Sequence, residues 1–113
     1  MAERSNSHYE FEKALVLLEA KQYRELLQYA LPYATAGEAD AQVQMGLLYS
    51  LGLGVVSDPD EAECWLMEAA EQDHPLAWNN LGTLLHDKDE ERSRECYRRA
   101  VELGFAPACG LVD

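Results

Sequence analysis

His86 beside Asp87, and His74 between Asp73 and Pro75, are the side chains of this 113-residue chain best suited to acid–base chemistry. Neither has a Ser or Cys nucleophile at a spacing that would make a pair, and HxxxH, HExxH and glycine-rich phosphate loops are all absent. His74 reads instead as a loop or capping residue. Asp60, Glu61 and Glu63 could gather a cation, yet they open a helix, where acids favour the dipole without any ion. The Gly52-Leu53-Gly54 run follows no strand, so it is a turn between helices and not a nucleotide loop. Cys64, Cys96 and Cys109 are three in number with no close pairing, which fits neither a disulfide framework nor a metal or redox motif. They read as small buried apolar residues. Catalysis, a cofactor and a metal site are therefore not expected.

The elements that must position these residues come from a repeat. Setting "AQVQMGLLYS" from Ala41 over "AWNNLGTLLH" from Ala77 aligns Ala41 with Ala77, Met45 with Leu81, Gly46 with Gly82 and Tyr49 with Leu85. Further on, "AECWLMEAAEQDHPLA" aligns with "SRECYRRAVELGFAPA", at a shorter offset because the second unit lacks part of the "GLGVVSDPD" loop. Counting backwards, Tyr29, Ala34 and Gly37 fall over Trp65, Ala70 and Asp73. The chain thus divides into a degenerate unit at 8–40, a full unit at 41–76, a shortened unit at 77–107 and a tail at 108–113.

Each unit reads as two helices. Ala41, Met45, Leu48 and Tyr49 recur at helical spacing, and "GLG" ends that helix. The next begins at "SDPDEAE": Asp58 can cap, Pro59 suits the first helical position, and Glu61 stands three residues after the cap. Its apolar stripe is Ala62, Trp65, Leu66, Ala69 and Ala70, with Trp65 central to the core. Gly in mid-helix costs about 1 kcal/mol against Ala, so Gly46 and Gly82, with Ala62 and Ala69, point to helices packed too closely for larger side chains. In the first unit the spacing predicts a helix from about His8 to Ala20, a turn at "AKQY", and a second helix broken or bent at Pro32. Six helices in three antiparallel hairpins make an all-α domain. One hairpin cannot bury its own apolar face, and about three are the fewest that build a continuous core.

Ala41, Gly46, Tyr49, Gly52, Gly54, Val55, Asp58, Ala62, Trp65, Ala69, Ala70 and Ala77 together resemble the Sel-one-like repeat, a relative of the tetratricopeptide repeat. The third unit keeps Ala77, Leu81, Gly82, Tyr97, Ala100, Gly104 and Ala108 of that pattern; the first looks like a generic tetratricopeptide unit. The resemblance implies a short α-solenoid with a right-handed superhelical stack that binds other proteins and has no catalytic residues. Asp73 departs from the pattern, standing where Gly37 and Gly104 end the equivalent helices; Asp tolerates a left-handed backbone only at a cost.

Charge narrows the partner. The chain holds 21 acids against 9 bases, a net charge of −12, which argues against nucleic acid and anionic membranes. No Lys or Arg occurs between Arg24 and Lys88, so the middle is acidic, while Lys88, Arg92, Arg94, Arg98 and Arg99 crowd one late segment. With no apolar run of membrane-spanning length and a polar start at "MAERSNSHYE", the expected location is the cytoplasm.

Val43, Leu47 and Ser50 lie roughly opposite the Met45 and Tyr49 stripe, so that face either packs against the preceding hairpin or binds a partner. Its equivalent one unit on is polar: Asn79, Thr83 and His86. With Asp60, Glu63 and Glu71 nearby, the expected guest is a basic or amphipathic polypeptide bound by a monomer or weak dimer. The alternative is self-assembly, with the last hairpin, ending "APACGLVD", open to another copy.

Overall fold

The computed structural model describes residues 9–105. Six helices follow in order: α1 Phe11–Glu19, α2 Tyr23–Thr35, α3 Ala39–Leu51, α4 Pro59–Ala70, α5 Pro75–Leu85 and α6 Glu90–Glu102. No strand occurs among the described residues. Successive helices pack on one another as hairpins, and α3 also touches α5, so the first helices of the second and third hairpins are neighbours. The architecture is an all-α repeat fold. Helix α1 begins three residues later than the spacing predicts, with Glu10 at its N-cap position.

Local chemistry sets the boundaries. Asp58 accepts a hydrogen bond from the Glu61 amide at 3.2 Å, and Pro59 occupies the first turn of α4. The Asp58 amide itself donates to the Tyr49 carbonyl at 2.9 Å, which ties the loop back to α3. Asp89 repeats the cap one unit on, accepting from the Arg92 amide at 3.2 Å. The loop between α3 and α4 lies against the start of α2: a Cβ on Gly54 would fall 2.9 Å from the Tyr23 carbonyl carbon.

The three helix-ending positions share one backbone conformation. Gly37, Asp73 and Gly104 all take left-handed backbones, with φ of 105°, 64° and 102°. Asp73 has only a long, exposed ion pair to Arg99 at 3.8 Å in compensation, and such pairs contribute little. Asp73→Gly should therefore stabilise the protein by roughly 0.5–1 kcal/mol and raise the thermal midpoint by a few degrees. A midpoint that is unchanged or lower would remove the strain from Asp73.

Pro32 does not break its helix. Helix α2 runs through it to Thr35, because Pro32 lies in the last turn on an exposed face. The carbonyl of Gln28 that loses its amide donor there can turn to water.

Two apolar clusters meet across α3. Ala41, Met45 and Leu48 join Tyr9, Ala14, Leu26, Ala30 and Ala34, with Trp65 packed on the edge. Val43, on the opposite side of α3, joins Leu66, Ala69, Ala70, Ala77, Leu81, Leu85 and Cys96. Helix α3 is thus apolar on two sides because it is sandwiched. Val43 packs on the following hairpin, and not on the preceding one.

Close packing at the glycines follows the expected logic. A Cβ on Gly46 would stand 2.5 Å from Leu66 Cγ, and one on Gly82 would stand 2.8 Å from the Tyr97 ring. Ser93 exploits the same approach, donating to the Gly82 carbonyl at 2.6 Å.

The apolar pattern did not announce a buried polar bridge between the first two hairpins. Gln42, 1% exposed, donates to the Ala34 carbonyl at 3.1 Å and to Glu68 at 3.2 Å. Gln72 donates to Gln42 Oε1 at 3.0 Å and to the Gly37 carbonyl at 2.9 Å. These bonds satisfy a carboxamide that would otherwise cost stability where it is buried.

Candidate functional site

Where α3 and α5 run side by side they leave a groove of about 240 Å³. Gly46, Leu47, Ser50 and Leu51 of α3 form one wall, Asn80, Thr83 and Leu84 of α5 form the other, and Leu66 of α4 lies between them. The floor exists because Gly46 has no side chain and lets Leu66 approach. Leu51 is 60% exposed at the end of α3. The lining is mostly apolar, with three polar side chains.

Those polar groups differ in what they have left to offer. Ser50 Oγ donates to the Leu47 carbonyl at 3.2 Å. Thr83 Oγ1 donates to the Asn79 carbonyl at 3.3 Å and lies 3.0 Å from the Tyr97 hydroxyl. Among the described residues, the Asn80 carboxamide has no intramolecular hydrogen-bond partner.

The structure brings together Leu47, Ser50 and Thr83 from the face read in the sequence. It does not bring Val43, which is 3% exposed and inside the second core cluster. Asn79 and His86 do not line the groove. His86 is exposed just beyond α5. Sequence reasoning missed Asn80, Leu51 and Leu84. Spacing alone did not choose between two sets on α5, since 80, 83 and 84 (i, i+3, i+4) and 79, 83 and 86 (i, i+4, i+7) each lie on one helical face.

The acids form no single surface. Asp60 lies 3.8 Å from Lys88, and Glu63 lies 3.5 Å from Lys88 and 3.3 Å from Arg92. The basic segment that looked separate in the sequence therefore folds onto the start of α4. Glu71 caps the other end of that helix, about 16 Å away at 1.5 Å per residue. Helices α3, α4 and α5, which form the groove, contain no Lys or Arg, and none of the residues lining it is charged.

The remaining chemistry-bearing residues are placed elsewhere. His74 sits at the N-cap position of α5 but does not cap it; its Nε2 pairs with Asp40 Oδ1 at 2.7 Å, joining the starts of α3 and α5. Cys96 is buried, and burial pushes its thiol pKa up. Cys64 is exposed, contrary to the buried reading, because it falls on the outward side of α4. Cys109 lies outside the described residues. Among the described residues no three His, Cys, Asp or Glu side chains gather as a metal site, and no helix is long and apolar enough to cross a membrane.

Stacked hairpins sharing cores across a common helix, with a groove between successive first helices, define a helical-repeat protein. The Sel1 repeat model matches residues 39–74 and 78–105, and the chain belongs to the Sel1 repeat family. Proteins of this family generally mediate protein–protein interaction. The first hairpin lies outside the matched residues. A solved Sel1 repeat protein from Oxalobacter formigenes superposes with a TM-score of 0.65 at 24% identity, over 84% of this chain and 56% of that one, which shows the shared fold. Chitin synthase regulatory factor 3 of Schizosaccharomyces pombe is 38% identical over 61 residues. The match takes in 54% of this chain and 6% of that protein's length.

Proposed function

We propose that this chain is a non-catalytic binding module that holds one protein or peptide partner in the groove between α3 and α5. The observation that carries the reading is the groove itself, an apolar trough with an exposed leucine and an uncommitted carboxamide, built by helices that contain no cation. Apolar lining with a few convergent polar groups is what a binding site needs. The absence of Lys and Arg from its walls favours a basic or amphipathic guest of immunity, chaperone or adaptor type. The regulatory name of the yeast relative is in keeping with a binding role. An exposed thiol at Cys64 suits a reducing compartment such as the cytoplasm.

Self-assembly through the last hairpin is the weaker reading. Val43, Met67 and Ala70, which the third hairpin covers in the middle unit, correspond in the third unit to Asn79, Arg98 and Val101. The surface offered to a further hairpin is mostly polar, as on a capping repeat. The "APACGLVD" segment lies outside the described residues.

The test is a selection from a display library of natural protein fragments about 50 residues long, followed by amide-shift mapping on the winners. Shifts on Leu47, Leu51, Asn80 and Leu84, and binding lost in Leu47→Glu, are expected. Binders that map elsewhere and ignore Leu47→Glu would overturn the reading, as would a library that yields none.

Charge should act on rate. Asp60→Asn, Glu63→Gln and Glu71→Gln together should slow association with a cationic fragment by up to roughly tenfold at low salt. The exposed pairs lost at Asp60 and Glu63 should move the thermal midpoint only slightly. Association rates measured against ionic strength check this, since screening shortens the Debye length from about 10 Å at 0.1 M to about 3 Å at 1 M. Parallel, salt-insensitive rates for wild type and variant would make the acids a solubility device.

A further inference from the structure

We infer that the third hairpin, α5 with α6, rocks as a rigid body on the other two, pivoting where α3 and α5 begin and opening the groove where they end. The two junctions between hairpins are built from different chemistry. At the first, the Gln42 carboxamide donates to the Ala34 carbonyl, the Gln72 carboxamide donates to the Gly37 carbonyl, and the two carboxamides are joined at 3.0 Å. Such bonds fix direction as well as distance. Gln42 is buried, so breaking one would leave a polar group unpaired away from water. The loop before α4 adds a second lock, since Gly54 rests on the backbone of Tyr23 and Arg24.

At the second junction the same register holds other residues: Trp78 stands where Gln42 does, Leu103 where Gln72 does and Arg99 where Glu68 does. Among the described residues none of their side chains donates to a carbonyl of the second hairpin. Leucine cannot, the Trp78 Nε1 has no partner, and Arg99 lies over the Trp78 ring at 5.4 Å and 3.8 Å from the Asp73 carboxylate. This junction is otherwise spanned by an apolar cluster, which prefers no direction, and by the pairs of Asp60 and Glu63 with Lys88 and Arg92, whose long exposed side chains follow a moving partner at little cost. One short bond crosses it, from His74 Nε2 to Asp40 Oδ1 at 2.7 Å, at the starts of α5 and α3. The groove, about 240 Å³ of unfilled space, lies at their ends. A bond at one end and a void at the other make a hinge. The third hairpin is firm in itself, because Ser93 donates to the Gly82 carbonyl at 2.6 Å in its interior and Thr83 meets the Tyr97 hydroxyl at 3.0 Å. Use of the hinge as a gate rests on the binding reading above; the motion does not, and the free protein suffices to test it.

Relaxation dispersion of the backbone amides reads motion on the μs–ms scale of such a hinge. Exchange is expected for Leu47 to Leu51 and for Asn80 to Leu85, fitted by one shared rate, while Ala34, Gln42 and Gln72 at the first junction stay quiet. Near the pivot, Leu76 to Trp78 should also be quiet in the wild type. Asp40→Ala removes the pivot bond from a half-exposed position, so the variant should fold, and the exchange contribution at Leu76 to Trp78 should rise at least twofold. No dispersion at the ends of α3 and α5, or equal dispersion at both junctions, would overturn the inference. Dispersion as strong along the outer face of α6, with shift differences of an unfolded chain, would also sink it, because the hairpin would then be melting and not rocking. An Asp40→Ala protein with an unaltered profile at Leu76 to Trp78 would remove the pivot and the hinge with it. The selection of protein fragments is untouched by any of these results, so the hinge and the binding reading stand or fall separately.

Discussion

Trp65→Ala should lower stability by about 3 kcal/mol, the lower end of the range for truncating a large aromatic side chain. Trp65 packs from α4 onto the cluster that includes Leu26, Met45 and Leu48, so it belongs to the contact between the first and second hairpins. Its indole is only partly buried, which places the cost at the low end. Among the described residues the indole Nε1 has no hydrogen-bond partner, so no polar bond to them is lost with it. In a domain of this size the thermal midpoint should fall by more than about 10 °C. Denaturant titration with helix content as the signal would measure it. A midpoint within a few degrees of wild type would make Trp65 a surface anchor and would discredit the registration of the first unit on the second.

What the sequence made legible was local or repeated. Asp58 with Pro59, the left-handed Asp73, and the close approaches at Gly46 and Gly82 each follow from a rule that acts within a turn or recurs at a fixed offset. Leu66 sits under Gly46 and its register mate Tyr97 sits under Gly82, so one misplaced residue in the alignment would have broken both contacts. Pro32 was misjudged because the rule for proline concerns a helix interior, and α2 has only three residues left after it.

The rest depended on how one hairpin lies against the next. Helix periodicity showed that α3 is apolar on two sides, but not that Val43 faces forward, because both neighbours are offered the same stripe. Lys88 and Arg92 are more than twenty residues from Glu63, and only the fold brings them within 4 Å. The Gln42 bridge has no apolar signature, since its partners are the Ala34 carbonyl, the Glu68 carboxylate and the Gln72 carboxamide. Of the residues read on these two helices, Leu47, Ser50 and Thr83 line the groove, whereas Val43, Asn79 and His86 do not. Asn79 and Asn80 are adjacent and identical in type, so choosing between them requires the rotation of α5 about its axis.

The contact that makes the groove floor can be tested by pairing two substitutions. Gly46→Ala should gain about 1 kcal/mol from helix propensity, yet the new Cβ would stand 2.5 Å from Leu66 Cγ and 2.6 Å from Cδ2. Leu66 is 1% exposed and cannot swing into water, so overpacking should outweigh propensity and leave a net loss of about 1–2 kcal/mol. Leu66→Ala alone should cost about 2–5 kcal/mol, because it removes the centre of the second cluster and leaves a cavity. The double variant should be more stable than the sum of the two losses by about 1–3 kcal/mol, since alanine at 46 then meets space and keeps its propensity gain. Denaturant midpoints for the four proteins close the cycle. Strictly additive losses would mean that Gly46 and Leu66 do not touch as described. The same cycle reads the site: Gly46→Ala pushes α4 away and should weaken groove ligands, whereas Gly82→Ala meets the Tyr97 ring, which is only partly buried and can shift outward, and should leave them bound.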